Sequence, residues 1–500
     1  MATQADSAGI ETLEPTPMWR LFAGIAAVPR CSKKEQQARA HVRGLAEGMG
    51  LAVREDAAGN MVIEVAATPG CENAPITVIQ GHLDMVCEKN SATEHDFARD
   101  PIRTVIDQGQ QTGEQFVRAD GTTLGADNGI GLAMALAAAS EPTVKHGPLE
   151  LLFTVDEEAG MNGAKGLQPD FFNGKRMLNL DAEEDDVIYI GCAGGCDVTL
   201  TWEFKAASPP AGAEICKLSV AGLRGGHSGG DIHLNRANAN RLLVETLRRT
   251  GRARLQLAGI KGGSLRNVIP REAHALVLAS PKMRKALHKA AQTVQAEAVR
   301  TNGEENCAIQ VEKAATGDLP LILSPADTRR VLGTVAALPH GVLAVVPEIP
   351  GLVQTSNNVA TIASERSDGK LKVTLGCLSR SSSKDQLHAT VRQIVAVGQL
   401  AGAQVEWGNE YPGWQPNVDS SLLATCRRVY EELFGEAPNV TAIHAGVECG
   451  IIGERIAGMD MVSFGPRIEG AHSPDERVYV ASVQKSWKYL TALLAELAKG

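Results

Sequence analysis

Four apolar segments of this chain are each followed by side chains that can bind metal ions. They are PITVIQ (75–80), followed by His82 and Asp84; LELLFTV (149–155), followed by Asp156, Glu157 and Glu158; RMLNL (176–180), followed by Asp181; and MDMVSFG (459–465), followed by a loop that holds His472. Helical segments alternate with these strands, which favours a sheet with many parallel pairs. Ligands of such sheets bind beyond the carboxyl ends of the strands. The pattern therefore predicts one edge at which these side chains converge.

The first of these strand ends shows how such a site is built. In an extended chain, alternate side chains point to the same face, so His82 and Asp84 share one face while Leu83 points to the other. Asp127, which begins a glycine-rich helical segment after TTLGA, is a further candidate. A single Asp at a strand end more often caps a helix or forms a turn. So many carboxylates at one edge would repel each other strongly without a cation, which favours a metal centre.

The types of these side chains indicate which metal they would bind. Imidazole and carboxylate groups without a thiolate suit zinc first, with cobalt or manganese as alternatives. Two histidines and at least three carboxylates exceed the three protein ligands of a single catalytic zinc. The simplest interpretation is two ions that share one bridging carboxylate and a water molecule, which acts as the nucleophile.

The length and patterning of the chain predict two domains. Five hundred residues exceed what one hydrophobic core normally supports. Residues 1–192 and 410–500 are predicted to form one discontinuous α/β catalytic domain, with a mixed, largely parallel sheet and helices on both of its faces. Residues 193–409 contain alternating segments such as DVTLTWEFKA, which are typical of half-exposed antiparallel strands. We expect them to form an inserted α+β lid domain.

Composition excludes several classes of function. The net charge of −9 argues against a protein that binds nucleic acid through a basic face. No apolar run reaches the roughly 18 residues that a membrane span requires. The start, MATQADSAGIETLEPTP, lacks the features of a signal peptide and is predicted to be a frayed tail. The ten cysteines are scattered and indicate reduced thiols in a cytoplasmic protein.

Several motifs together resemble a known family. They are GHLDMV, GADNGIG, DEEAGMNGAKGL, LNLDAEE, RGGHSGGDI and GAHSPDE, and their order and spacing are similar to those of the dizinc exopeptidases, which include aminoacylases, carboxypeptidases and dipeptidases. DEEAGMNGAKGL, IGCAGG, HSGGDIH, SLRNVIP and HAGVECG most resemble the branch of aminoacyl-histidine dipeptidases. The resemblance covers nearly the whole chain beyond its N-terminal tail.

This resemblance implies a role for each matching residue. His82 and Asp181 would bind one metal ion, Glu158 and His472 the other, and Asp127 would bridge the two. Asp84 would accept a hydrogen bond from His82 and orient its ring. Glu157 would be the general base, which takes a proton from water and later delivers it to the leaving amine.

The same resemblance assigns three residues of the inserted segment to the substrate. His227 would donate a hydrogen bond to the tetrahedral oxygen, although a histidine in this glycine-rich turn could instead be a helix cap. Asn267 and Arg380 would bind the free carboxylate of the substrate. Asn267 could instead be a turn residue before Pro270, and Arg380 a solvated strand end. Whether His227 serves its own site or that of a neighbouring subunit is left open.

The function that follows is metal-dependent hydrolysis of dipeptides, Xaa-His and more broadly Xaa-Xaa, with β-alanyl-histidine as a further substrate. The alternative is an N-acyl-amino-acid deacylase or aminotripeptidase with the same two metals. A binding protein that retains only the scaffold would not need Glu157. A dehydrogenase is discounted because no glycine-rich dinucleotide motif follows a predicted strand. We expect a homodimer formed through the lid, and neither nucleic acid nor membrane as a partner.

Overall fold

The computed structural model describes residues 9–109, 111–210, 213–251, 255–314, 321–367 and 369–500. The α-helices of this part are α1 Thr16–Ala26, α2 Gln36–Gly48, α3 Ala126–Ser140, α4 Asn162–Gly166, α5 Ala239–Arg248, α6 Pro281–Asn302, α7 Pro325–Ala337, α8 Lys384–Leu400, α9 Ser421–Phe434, α10 Glu448–Arg455 and α11 Val480–Leu497. Short 3-10 turns lie at Ile10–Thr12 and Ile232–Leu234.

The strands fall into two large sheets and two small ones. They are β1 Ala52–Glu55, β2 Met61–Val65, β3 Thr77–His82, β4 Thr104–Gln108, β5 Gln115–Ala119, β6 Leu149–Thr154, β7 Arg176–Asn179, β8 Val187–Cys192, β9 Gly194–Lys205, β10 Ile215–Ala221, β11 Gly226–His227, β12 Gln256–Gly262, β13 Val268–Ile269, β14 Ala273–Leu278, β15 Ala308–Lys313, β16 Gly341–Val345, β17 Val353–Ser367, β18 Lys370–Ser381, β19 Gln404–Tyr411, β20 Asn439–Ile443, β21 Asp460–Ser463, β22 Ile468–Glu469 and β23 Arg477–Tyr479.

The described residues divide into two compact units by their backbone contacts. Unit 1 takes the residues up to Gly191 together with Pro416–Ala442 and Val447–Gly500. Unit 2 takes Cys192–Gln415 and the short segment Ile443–Gly446.

Unit 1 is built on a mixed sheet with the strand order β1-β2-β6-β3-β7-β21-β8-β20. Its four central strands, β6, β3, β7 and β21, are parallel to one another, whereas the β1–β2, β2–β6 and β21–β8 pairs are antiparallel. These central strands are the four apolar segments predicted from the sequence. The prediction of a mixed α/β fold is therefore confirmed, and the parallel part is the centre of the sheet.

The register of the central strands explains why their following residues meet. Every residue of β3 is buried, as expected for a strand covered on both faces. His82, the last residue of β3, is paired with Thr154 at the end of β6, so residues 156–158 begin two positions after that pair. On the other side Gln80 is paired with Asn179, two residues before Asp181. Parallel pairing thus brings the carboxyl ends of these strands to one edge.

Unit 2 contains a nine-stranded sheet with the order β15-β10-β14-β12-β17-β18-β9-β19, and β16 pairs with β17. Its described strand pairs are antiparallel. Buried side chains of α5, α6, α7 and α8 pack with those of the strands in one core, which includes Leu243, Leu287, Val331, Ile394 and Leu375. These strand pairs confirm the prediction of antiparallel strands, and alternate residues in most of β9 are buried, as expected for a half-exposed strand.

Two details differ from the sequence predictions. Part of the predicted N-terminal tail is ordered, because Ile10 lies in a 3-10 turn and is 2% exposed; residues 1–8 lie outside the described residues. The cysteines are not all reduced, since Cys31 and Cys87 form a disulfide. They are 56 residues apart in sequence, and the contact of Cys31 with Met85 brings them together, which no spacing pattern could indicate. Within the described part of the chain, no helix is both long enough and apolar enough to cross a bilayer.

Candidate active site and metal centre

Asp127 lies between the two histidines that the sequence predicts as metal ligands. Its Oδ1 atom is 2.9 Å from His82 Nε2, and its Oδ2 atom is 3.2 Å from His472 Nε2. Asp127 is the second residue of α3, and the peptide bond that follows it is cis. One carboxylate therefore faces two imidazoles, each with a different oxygen.

A further carboxylate completes the group at each histidine. Asp181 Oδ1 lies 3.2 Å from His82 Nε2, and Glu158 Oε2 lies 3.0 Å from His472 Nε2. Ligand atoms of His82, Asp127 and Glu158 all lie within 4.8 Å of one another. The five predicted metal ligands thus form two groups that share Asp127.

The chemistry of these groups fits divalent cations. Glu158 Oε1 is buried and has no hydrogen-bond partner among the described residues. Burial raises the pKa of the carboxyls of Glu158 and Asp181. A divalent cation would satisfy the orphaned oxygen and offset the cost of burying these charges, and imidazole with carboxylate is a donor set that zinc accepts.

The His82 ring and the Asp127 carboxyl, which are in contact through Nε2 of His82, have opposite pKa shifts. Burial opposes the charged imidazole of His82, but Asp181 and the hydrogen bond to Asp127 outweigh it and raise the pKa well above its usual value. Burial likewise opposes the charge of Asp127, but the hydrogen bonds from His472 and His82 lower the pKa of this carboxyl. Among the three carboxyls predicted as ligands, that of Asp127 therefore stays ionised most readily.

Asp84 is buried beside His82 and contacts more than the His82 ring, which it was predicted to orient. Its Oδ1 atom is 3.5 Å from His82 Nδ1, which is closer to the Asp84 carbonyl at 3.1 Å. Its carboxylate also accepts the backbone N–H groups of Glu157 at 3.0 Å and of Glu158 at 3.1 Å, and the Ser32 hydroxyl at 2.7 Å. Burial is outweighed by hydrogen bonding and charge from His82, so the pKa of Asp84 falls to about 2.

In unit 2 the three predicted substrate residues lie close together. The β11–β13 pair places His227 opposite Val268, and the carbonyl of Asn267 accepts the backbone N–H of Ser228 at 2.8 Å. Arg380 Nη2 is 3.4 Å from His227 Nε2. Asn267 lies in a turn and is exposed, whereas Arg380 is 4% exposed, so the interpretation of Arg380 as a solvated strand end is wrong.

The hydrogen bonds of His227 determine its tautomer. Its Nδ1 atom accepts the backbone N–H of Gly230 at 3.0 Å, so the neutral ring carries its proton on Nε2. Burial and the nearby Arg380 lower the pKa of His227, which favours the neutral ring. Arg380 Nη1 also donates to the Tyr411 hydroxyl at 2.6 Å. Two donors, His227 Nε2–H and the Arg380 guanidinium, therefore face the same space, and an anionic oxygen would suit both.

Comparison with known proteins identifies the family. Residues 78–496 match the model of peptidase family M20/M25/M40. The chain belongs to this family. It is 42% identical over 494 residues to the cytosol non-specific dipeptidase of Escherichia coli, an alignment that covers 98% of this chain and 99% of that relative. The resemblance predicted from the motifs is confirmed.

Solved structures agree with the fold of this M20 peptidase. The aminoacylhistidine dipeptidase of Vibrio alginolyticus superposes with a TM-score of 0.89 at 41% identity, with 99% of each chain covered. A tripeptidase of Staphylococcus aureus superposes with a TM-score of 0.60 at 15% identity, covering 98% of this chain and 100% of that one, and it shares the fold.

The sequence assigned no role to several buried ionisable residues of this M20 peptidase. Glu448, whose motif HAGVECG indicated only a position near the site, is fully buried and accepts hydrogen bonds from Thr154 at 2.5 Å and Gln80 at 2.8 Å. Burial raises its pKa to about 8. Glu35 accepts the backbone N–H of Asp156 at 3.1 Å, directly before the two site glutamates. The motif HAGVECG was the available signal for Glu448, and for Glu35 there was none.

Two further missed residues, Arg30 and Glu476, bind the backbone beside Asp127. Glu476 ends the motif GAHSPDE, and its place in that motif was a signal that could have been used. Arg30 follows a proline in a segment without any periodic pattern, and nothing in the sequence marked it.

Proposed function

We propose that this chain hydrolyses dipeptides with two divalent metal ions. His82 and Asp181 would hold one ion, Glu158 and His472 the other, and Asp127 both. The observation that carries the proposal is that Asp127 presents Oδ1 to His82 and Oδ2 to His472. The 42% identity to the E. coli cytosol non-specific dipeptidase over nearly the full length of both chains supports dipeptides as the substrates.

Glu157 is the proposed general base of the reaction. When bound, the two cations would supply an acidified water and polarise the scissile carbonyl. Glu157 accepts a proton from the attacking water and then delivers it to the leaving amine, first as base and then as acid. Its backbone is held by Asp84, and burial raises the pKa of its carboxyl well above the usual value. A raised pKa suits a group that must hold the proton between the two steps.

Unit 2 is proposed to recognise the substrate. His227 donates from Nε2 to the oxygen that becomes negative in the tetrahedral intermediate. Arg380 and Asn267 bind the free carboxylate of the dipeptide, which a guanidinium can hold with two hydrogen bonds. The hydrogen bond from Arg380 to the Tyr411 hydroxyl supports this role because it restrains the guanidinium in one orientation.

Metal identity, location and assembly complete the proposal. We propose zinc as the resident ion, with cobalt or manganese as alternatives, because the donor set contains imidazole and carboxylate. The E. coli relative is a cytosol dipeptidase by name, which supports a cytoplasmic enzyme. A homodimer formed through unit 2 is proposed as the assembly, and neither nucleic acid nor membrane as a partner.

The test is a substrate panel assayed after chelation and addition of zinc, cobalt or manganese. The panel contains Xaa-His, Xaa-Leu, β-alanyl-histidine, tripeptides and N-acetyl amino acids. We expect cleavage of dipeptides with at least one of the metals. Absence of dipeptide cleavage with every metal would refute the proposal, and preference for the N-acetyl amino acids would identify a deacylase instead.

A further inference from the structure

The backbone that carries Asp127 is bound by one buried carboxylate. Glu476 is 2% exposed, and its Oε2 atom accepts the N–H groups of Leu124 at 2.7 Å and Gly125 at 2.9 Å. Its Oε1 atom accepts those of Ala126 at 2.8 Å and Asp127 at 3.3 Å. Both oxygens of one side chain are therefore used to hold four consecutive amides at the start of α3.

A buried guanidinium binds the same backbone through its carbonyl groups. Arg30 is 1% exposed, and its Nη2 atom donates to the carbonyl of Gly125. Its Nη1 atom donates to the carbonyl of Asp84 at 2.9 Å and to that of Leu83 at 3.2 Å. Arg30 thus joins the strand end after His82 to the segment before Asp127.

Gly125 is the residue that allows this arrangement. Its φ of +71° lies in the left-handed region, which favours glycine. A Cβ atom at this position would lie 2.3 Å from Arg30 Nη2 and 2.8 Å from Met85 Sδ. The close approach of the guanidinium to the backbone therefore depends on glycine.

These contacts connect three ligand-bearing segments. Glu476 follows His472 by four residues, so its hydrogen bonds join the His472 loop to the Asp127 segment. Arg30 joins that segment to the strand end that carries His82. Charged hydrogen bonds of this kind are short and strong, and buried charges persist in proteins when they are paired and hydrogen-bonded.

We propose that Glu476 and Arg30 are positioning residues that set the distances of Asp127 from His82 and His472, and so the affinity of the centre for its metal ions. This inference rests on the proposed function for the identity of the metal ligands. Neither residue touches the reacting atoms. They act through the Leu124–Asp127 backbone, because a shift of this segment would move one carboxylate relative to two imidazoles at once.

The test uses Glu476→Gln in the full-length chain and measures metal binding without turnover. The carbonyl oxygen of glutamine still accepts, but its NH2 group is a donor and cannot accept the two backbone N–H groups that the second carboxylate oxygen accepted. A chelator first removes bound metal from the protein. Titration calorimetry with zinc then reports the affinity, and the visible absorption of the cobalt-loaded protein reports the coordination geometry. Glu469→Gln is the matched control, because Glu469 lies in the same region and binds Arg467, Arg477 and Tyr479 instead.

We expect Glu476→Gln to weaken zinc binding by about 10- to 100-fold and to change the cobalt spectrum, while Glu469→Gln leaves both unchanged. A folded Glu476→Gln variant with wild-type affinity and spectrum would overturn the inference. If circular dichroism shows that this variant is unfolded, Glu476→Asp and Arg30→Lys replace it in the same test. Asp keeps the negative charge on a shorter side chain, and Lys keeps the positive charge without the forked donors of the guanidinium. Unchanged metal binding in both would overturn the inference too.

These measurements separate the inference from the proposed function. A wild-type protein that binds two zinc ions but cleaves no dipeptide would refute the proposed function and leave the positioning role testable. A wild-type protein that cleaves dipeptides, with a Glu476→Gln variant that binds metals normally, would refute the positioning role alone.

Discussion

The Oδ1 atom of Asp84 accepts the backbone N–H of Glu157 at 3.0 Å. Its partner oxygen accepts the next amide, that of Glu158, at 3.1 Å. One buried carboxylate therefore holds the two neighbouring glutamates that are proposed to have different roles, Glu157 in proton transfer and Glu158 in metal binding. This position makes Asp84 more than the orienter of His82.

Asp84→Asn should lower kcat/KM by about 10- to 100-fold, the usual effect of changing a residue behind a metal ligand. Asparagine has one accepting oxygen, so it cannot hold both glutamate amides and the Ser32 hydroxyl. Steady-state kinetics together with zinc content by mass spectrometry test the prediction. Ser32→Ala removes only the hydroxyl that Asp84 accepts and should have a smaller effect; equal effects of the two would contradict the proposed double role.

Glu157→Gln should lower kcat by about 10²- to 10⁴-fold, because glutamine cannot take a proton from water. Its zinc content should match the wild type, since Glu157 is not a proposed ligand. Glu158→Gln should instead lose zinc, because Glu158 is a proposed ligand and its Oε2 atom faces His472. Metal analysis of both variants distinguishes the general base from the metal ligand. Loss of zinc in Glu157→Gln, with retention in Glu158→Gln, would mean that the two roles must be exchanged.

Arg380→Gln should raise KM for dipeptides, with a loss of about 10- to 100-fold in kcat/KM, because a charged hydrogen bond contributes about 1.5–3 kcal/mol. Dipeptides whose C-terminus is amidated should lose much less, since they present no carboxylate. Assays of each dipeptide beside its amide measure this difference. Lys372→Gln, at an exposed position of the same strand, is the control. Equal losses on both substrates would argue against carboxylate recognition by Arg380.

His444 should make stability depend on pH. Its ring is 7% exposed, its Nε2 atom is 2.8 Å from Ser356 Oγ, and burial, together with the nearby Arg380, lowers its pKa to about 3. Its usual value is about 6.5. Below pH 6.5 the unfolded chain binds a proton that the folded chain excludes, so the contribution is complete above pH 6.5 and is lost as the pH falls toward 3.

The difference in unfolding free energy between wild type and His444→Gln should therefore shrink by ~1 kcal/mol between pH 7.5 and pH 5.5. Urea unfolding at the two pH values measures it. His288→Gln, at an exposed position of α6, is the control for the loss of an imidazole. A constant difference for His444→Gln between the two pH values would contradict the prediction.

The four apolar segments and the residues after them were predictable because they depend on local order along the chain. A buried parallel strand is recognised by a continuous apolar run, and the carboxyl ends of such strands share an edge. His82, Asp181 and Glu158 were found in this way. The specific roles of these residues came from the resemblance to the family, and those roles remain predictions.

Other features were not predictable because they depend on contacts between residues far apart in sequence. The disulfide of Cys31 and Cys87 requires two segments to meet that carry no spacing pattern. The burial of Arg380, which a strand-end position left open, follows from the sheet of unit 2 and from Tyr411.

The sequence by itself determined which side chains could bind metal, since ligand chemistry and strand periodicity are both properties of residues in order. Only the tertiary structure decided how these side chains are held. The backbone of Leu124–Asp127 has its amides bound by a carboxylate about 350 residues later and a carbonyl bound by a guanidinium about 95 residues earlier. A buried charge can be placed only where folding brings backbone groups to satisfy it, and no local pattern records where that will be.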